Sequence, residues 1–223
     1  MSVRKSNIYS DSQLEAFKTI RPIIRETFSD ELCNDSLLEQ IEFVEDFYKQ
    51  GNNELPAQLV IYYTNGENDE DGKRVIHEMA HVMPEGFGED HKARWATLRA
   101  LGEKFMKDGD GSGKKCAPLA VFSNVEAWMV EKIPNEVPLD EVTRPSEDPN
   151  RIEIVASAGM TMDNRHNGAF FKIMRNEDGQ LDHLAKYKTN PFMDDEDDES
   201  MKTENILLGA FWEGCAMAGR KSE

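Results

Sequence analysis

The sequence predicts an α+β fold, with a mostly antiparallel sheet, helices on one face of it and an N-terminal helix pair as a further layer. The run QLVIYY at 58–63 is rich in β-branched and aromatic residues, which is typical of a strand. Two later apolar runs, 152–162 and 168–176, flank the turn-forming segment DNRHNG and predict a hairpin. Apolar residues at helical spacing near both ends of the chain supply the α part of the pattern.

The N-terminal part, 1–55, is predicted to form a layer of two helices. Two Ser–Glu pairs have the spacing of a capping box, Ser12 with Glu15 and Ser36 with Glu39. An amphipathic stripe follows the second pair and stops at Gly51, whereas Pro22 is expected to kink or shorten the first helix. The α+β domain then covers 56–223, and the two parts are expected to form one compact unit.

The rest of the chain alternates between strands and helices. A helix is predicted over 90–107, where glycine-rich DGDGSGKK ends it, and strand 117–122 follows. A short strand at 181–187 extends the predicted hairpin, and residues 201–218 close the chain as an amphipathic helix. Segment 73–82 is compatible with a strand and with a helix, and the functional interpretation depends on which it forms.

Composition narrows the class of protein. The 223 residues carry a formal net charge of −17, which disfavours binding to the phosphates of nucleic acid. No stretch approaches 18 apolar residues and the start, MSVRKSNIYS, lacks a hydrophobic signal, so no membrane association is expected. Three widely spaced cysteines form no disulfide framework, which favours reduced thiols and a cytoplasmic location.

The segment HEMAH contains the H-E-x-x-H pattern of zinc peptidases. On a helix, His77 and His81 would lie one turn apart and bind one zinc ion, while Glu78 activated a bound water. His91 is the candidate third ligand. A helical projection of the segment supports this hypothesis, because both histidines and the glutamate then lie opposite an apolar arc.

Three features favour a strand for the same segment. It follows a strand and a Gly/Asn/Asp-rich turn, which together predict a hairpin. Pro84 would end a helix within three residues of His81. Most strand signals come after the segment, whereas zinc peptidases set their active helix against a preceding sheet. We therefore expect a strand, no metal and no other cofactor here, and the zinc site remains the alternative.

Three segments of the second half support a resemblance. These are VFSNVEAWMVE (121–131), RPSEDPNRIEIVASAGMTMDNR (144–165) and FFKIMRNEDGQL (170–181). They resemble a loosely defined set of uncharacterised prokaryotic proteins with EAWM and PSxxPxR segments, over roughly residues 57–215. The resemblance implies no activity, but it implies that 73–83 is the second strand of a hairpin with 58–63.

Other candidate sites are less complete. Asp108, Asp110 and Ser112 begin like a calcium loop, but the twelfth position is Leu119 rather than the required glutamate. Residues 163–167 are turn formers first, and the acidic run 194–199 is either a solvated loop or a docking site for a basic partner. Four side chains near the end of the third strand are candidates to line a surface pocket: Glu126, Trp128, Arg144 and Arg151.

Two functional hypotheses follow from the sequence. The first is a non-catalytic binding or accessory protein of the cytoplasm that contacts a protein partner, with neither nucleic acid nor membrane involved. The second is a zinc-dependent hydrolase, most naturally a peptidase, built on His77, Glu78 and His81. The backbone conformation of 73–83 discriminates between them.

Overall fold

The structure, a computed structural model, describes residues 21–84, 87, 91–129, 149–193 and 202–220. The helices are α1, described over residues 21–27, α2 (Asp30–Lys49), α3 (His91–Asp108) and α4 (Lys202–Arg220). The strands are β1 (Gln58–Thr64), β2 (His77–Val82), β3 (Ala117–Met129), β4 (Ile152–Thr161), β5 (His166–Arg175) and β6 (Leu181–Met193). The predicted α+β fold is confirmed. None of the described helices is long and apolar enough to cross a bilayer.

The strands form one antiparallel sheet in the order β2-β1-β3-β4-β5-β6, so β2 and β6 are its edges in the described part of the chain. The interior of β1 is buried on both faces, which explains why its sequence is a continuous apolar run rather than an alternating one. The predicted pairing of β1 with the following segment is confirmed, although the regular strand begins only at His77.

Helices cover both faces of this sheet. Leu59 and Ile61 of β1 belong to the apolar cluster that α3 and α4 complete. Val60 and Tyr62, the alternate residues, pack with side chains of α2 on the other face. The N-terminal helix pair is therefore the layer that covers the face left open by α3 and α4.

The start of α2 differs from the prediction. The helix begins at Asp30, because the Ser29 hydroxyl caps it by accepting the Leu32 amide at 3.2 Å. Ser36, the predicted cap, is buried inside the helix. The spacing of Ser36 and Glu39 thus arises within a helix rather than at its end. Pro22 lies in the helical segment 21–27, and Ser12 and Glu15 lie outside the described residues.

The pair of helices on the first face approaches backbone to backbone. A Cβ atom added at Gly102 of α3 would lie 2.0 Å from the carbonyl oxygen of Phe211 in α4. A Cβ atom added at Gly214 of α4 would lie 1.9 Å from the carbonyl oxygen of Arg99 in α3. Real contacts are never this short, so only glycine permits this helix crossing.

Candidate functional sites

The HEMAH segment lies in β2, as an extended edge strand. Successive side chains of a strand alternate between faces, so Glu78 points to the opposite face from His77 and His81. The two histidines are four residues apart, which on a strand is about 13 Å. They therefore do not fit the shared zinc site that a helix would create, and the helical interpretation of this segment is wrong.

The histidines have individual surroundings instead. The His77 ring stacks on Tyr63 with centroids 5.3 Å apart, and its Nε2 lies 3.5 Å from a carboxylate oxygen of Glu67. Burial and the charge of Lys104 lower the pKa of His81. His91 is the first residue of α3, and its side chain is outside the description. Within the described ranges, no three His, Cys, Asp or Glu side chains are grouped to hold a metal.

The calcium-like loop is closed by its own hydrogen bonds. The Asp110 carboxylate accepts from the Ser112 amide at 2.9 Å and from the Tyr63 hydroxyl at 3.1 Å. These bonds, those with Ser112 above all, lower the pKa of Asp110 to about 2. Leu119, at the twelfth position, is buried in β3. The loop is a helix-to-strand connection in which the carboxylate stabilises the turn.

Glu126 faces α2 rather than a surface pocket. Its carboxylate accepts from the Leu55 amide at 2.6 Å and from the Tyr48 hydroxyl, which joins the end of α2 to β3. Burial raises the pKa of Glu126 despite these two donors. The guanidinium of Arg151 lies over the ring of the exposed Trp128, 4.6 Å from its centroid. Arg144 lies outside the described residues.

The turn between β4 and β5 contains a buried ion pair that the sequence did not reveal. Arg165 donates to Asp163 at 2.8 Å, to Asp30 at 2.6 Å and to the Phe28 carbonyl at 2.6 Å. Arg25 donates to the other Asp163 oxygen at 2.9 Å. These contacts fasten the turn to the junction of α1 and α2, so residues predicted as simple turn formers hold two layers together.

A partly exposed surface runs along β2, and we call it the acidic edge: Glu78, Ala80 and Val82 of β2 with Glu39 and Phe43 of α2. The Tyr62 hydroxyl, on the strand paired with β2, donates to Glu39 at 3.1 Å and so places α2 beside this strand. Phe43 lies one turn after Glu39 on the same flank of the helix. Val82 is 66% exposed and Phe43 is 40% exposed.

Two carboxylates of the acidic edge lie near each other. Burial, and secondly the charge of Glu39, raise the pKa of Glu78. No Lys or Arg of the described chain forms an ion pair with either carboxylate. The acidic edge is thus an apolar strip with uncompensated negative charge at one end.

A cleft lies on the opposite face of the sheet, between the β strands and helices α3 and α4. It encloses about 350 Å³ of space, open solvent at its mouth included. Its lining is mainly apolar and includes Leu59, Met83, Leu98 and Val125, with Arg94 at the first turn of α3. Pockets for small ligands are commonly apolar clefts with a few polar groups.

Comparison with protein-family models, curated proteins and solved structures finds no match for this chain. The resemblance to uncharacterised prokaryotic proteins therefore stays a prediction. The described fold and surfaces define an α+β protein with one acidic edge and one apolar cleft, and the functional argument rests on those two features alone.

Proposed function

We propose that this chain is a non-catalytic binding protein of the cytoplasm, which docks a basic, extended segment of a partner protein along the acidic edge. The observation that supports the proposal is the free outer side of β2 next to unpaired carboxylates. A strand at the edge of a sheet presents backbone amides and carbonyls that another chain can pair with.

The sequence of β2 supports strand addition. Natural sheets blunt their free edges with lysine, proline or a β-bulge. β2 reads HEMAHV, and its register with β1 is continuous, so it has none of these protections. Its side chains alternate between half-buried and exposed, which leaves Ala80 and Val82 as small apolar contacts for an added strand.

The charge distribution indicates a basic partner. A lysine or arginine directly opposite Glu78 on an added strand would form a cross-strand ion pair, with a typical contribution of about 0.2–1 kcal/mol. The raised pKa of Glu78 is consistent with a carboxylate that awaits a cation. The net charge of −17 would also speed the encounter with a basic segment.

A second copy of this chain is a poorer occupant for the acidic edge. Two copies that joined through β2 would bring two Glu78 carboxylates to one interface, and both chains carry the same negative charge. Like charges that face each other across strands are destabilising. The proposal therefore commits to a basic heterologous strand.

The cysteines agree with the cytoplasmic part of the proposal. Cys33, Cys116 and Cys215 are all free thiols, and two of them are buried. Burial raises the pKa of Cys33 and of Cys215 to about 12, so these thiols stay protonated and unreactive. Such cysteines suit a reducing compartment, in which disulfides are rare.

A labelled peptide of alternating lysine and valine tests the proposal. We expect it to bind by fluorescence anisotropy and to slow amide hydrogen exchange in residues 77–82, because those amides become paired. Glu78→Lys should weaken binding about fivefold or more, since it replaces an attraction with a repulsion. A glutamate–valine peptide should not bind.

The matched control is Glu177→Lys, which makes the same change of charge at an exposed turn between β5 and β6. It should leave binding within about twofold of wild type, because exposed charges more than a Debye length apart are screened at physiological salt. Equal weakening by both variants, or unchanged exchange in β2, would reduce the effect to general acidity and refute the docking site. A stable homodimer by light scattering would replace the proposed partner with a second copy.

A further inference from the structure

The cleft between the sheet and helices α3 and α4 contains a buried cationic group without an acceptor. The Nε atom of Arg94 is buried and has no hydrogen-bond partner in the described part of the chain. A guanidinium is always protonated and can only donate. A buried donor left without an acceptor is costly, so this position favours a ligand that brings one.

The position of Arg94 in α3 adds to this preference. It lies in the first helical turn, where backbone amides and the helix dipole provide partial positive charge. That turn contains no acidic residue. The arginine and the helix end therefore act together on an anion, in a protein whose overall charge would otherwise repel one.

The walls of the cleft determine what else the ligand carries. Leu59 and Leu98 are at most 3% exposed, and Val125 and Met83 are also buried. Among the remaining lining residues, Asn124 turns its amide to Gln40 on the other face of the sheet, so it adds no side-chain polarity. An aliphatic chain is the ligand part that such walls accommodate best.

We infer that this cleft binds a small aliphatic monocarboxylate, with its carboxylate on Arg94 and its hydrocarbon chain against the apolar walls. One guanidinium in a mainly apolar lining matches a single negative charge. The site lies on the face of the sheet opposite α2, so it is separate from the acidic edge and does not depend on the proposed docking function. Binding would pair the Arg94 donor in a charge-assisted hydrogen bond.

Isothermal titration with octanoate tests the inference. We expect saturable binding to the full chain, weakened about tenfold or more in Arg94→Gln because the charged donor is lost. Octanol lacks the charge and acetate lacks the hydrocarbon chain, so each should bind at least about tenfold more weakly than octanoate. Octanoate should also shift the side-chain NMR signals of Leu98 and Val125 in the wild-type protein.

Lys104→Gln is the matched control, since it removes a positive charge from an exposed position further along α3. It should bind octanoate as the wild type does, and a thermal unfolding curve for each variant checks that it is folded. Equal affinity of wild type and Arg94→Gln, acetate binding as tightly as octanoate, or no saturable octanoate binding would each overturn the inference. The NMR shifts test the wild type directly, so instability of a variant does not leave the question open.

Discussion

The two faces of the sheet are covered in physically different ways. On one face, α3 and α4 contribute an almost wholly apolar cluster, and glycines let the two helices touch. On the other face, α2 makes polar contacts along most of its length, from Cys33 to Tyr48. The first face is held by non-directional burial and the second by directed hydrogen bonds.

A chain of hydrogen bonds illustrates the second face. The buried Ser157 hydroxyl donates to Asn124 at 2.8 Å, and Asn124 donates to Gln40 of α2 at 2.9 Å. Gln40 donates to the Tyr62 hydroxyl at 2.9 Å, and Tyr62 donates to Glu39. A shift of α2 by one residue would leave several of these groups buried without partners, so the network specifies the position of the helix.

The difference teaches that similar burial can serve two purposes. Apolar packing against α3 and α4 supplies stability, whereas the polar contacts of α2 select one arrangement among many of similar hydrophobic burial. This comparison predicts that the two faces respond differently to substitution.

The largest effect is expected at Asp163, whose side chain is fully buried beside two arginines. Asp163→Asn removes the charge that compensates Arg165, and breaking a buried ion pair typically costs about 3–5 kcal/mol. Urea unfolding measures the loss. Asp46→Asn, at an exposed position of α2, is the control and should change the unfolding free energy by less than about 1 kcal/mol.

The same ion pair predicts a pH dependence. Burial alone would raise the pKa of Asp163, but hydrogen bonds from Thr161, Arg25 and Arg165 outweigh burial and lower it. A lowered folded-state pKa stabilises the protein above the ordinary value of 3.8, and this stability is lost as pH falls through the folded-state pKa. The Asp163→Asn variant should lack this contribution to acid unfolding, and parallel acid curves for the two proteins would contradict the assignment.

A smaller loss is expected where α3 and α4 cross. Gly214→Ala forces the two backbones apart, and overpacking of this kind costs about 1–3 kcal/mol. Gly209→Ala in the same helix has no atom within 4 Å of the added carbon, so it should stabilise the protein by about 0.5–1 kcal/mol through helix propensity. Thermal unfolding distinguishes the two, and equal shifts would show that the close crossing is not required.

The smallest effect is expected from the coupling within the polar network. Gln40→Leu and Asn124→Leu should each cost about 1–3 kcal/mol, because each leaves a buried partner unpaired. The double variant should cost at least about 1 kcal/mol less than the sum. Asn124→Leu combined with Gly209→Ala provides the control cycle, whose effects should add within about 0.5 kcal/mol. Additivity in both cycles would remove the proposed distinction between the faces.

Parts of this structure could be read from the sequence and parts could not. The strand runs and the β1–β2 hairpin were predictable, because turn residues and β-rich segments are local signals. The start of α2 was not, since a Ser–Glu pair looks the same inside a helix as at its cap. The roles of Asp163 and Arg165 were hidden because their partners, Arg25 and Asp30, are far away in the chain.

The candidate sites divide in the same way. HEMAH was visible as a pattern, and the strand favoured over the helix is the conformation observed. The acidic edge and the Arg94 cleft had no local signal, because each combines side chains of separate elements whose spacing depends on packing.

The amino-acid sequence by itself determined which segments of this protein are strands or helices and which ends of the β1–β2 hairpin meet. Periodicity and turn chemistry act between neighbours in the chain, so they need no knowledge of the fold. Only the tertiary structure decided which helix covers which face, where the free edge lies and which cation remains without an acceptor. Those properties depend on contacts between residues distant in sequence, and packing of the whole sheet selects them.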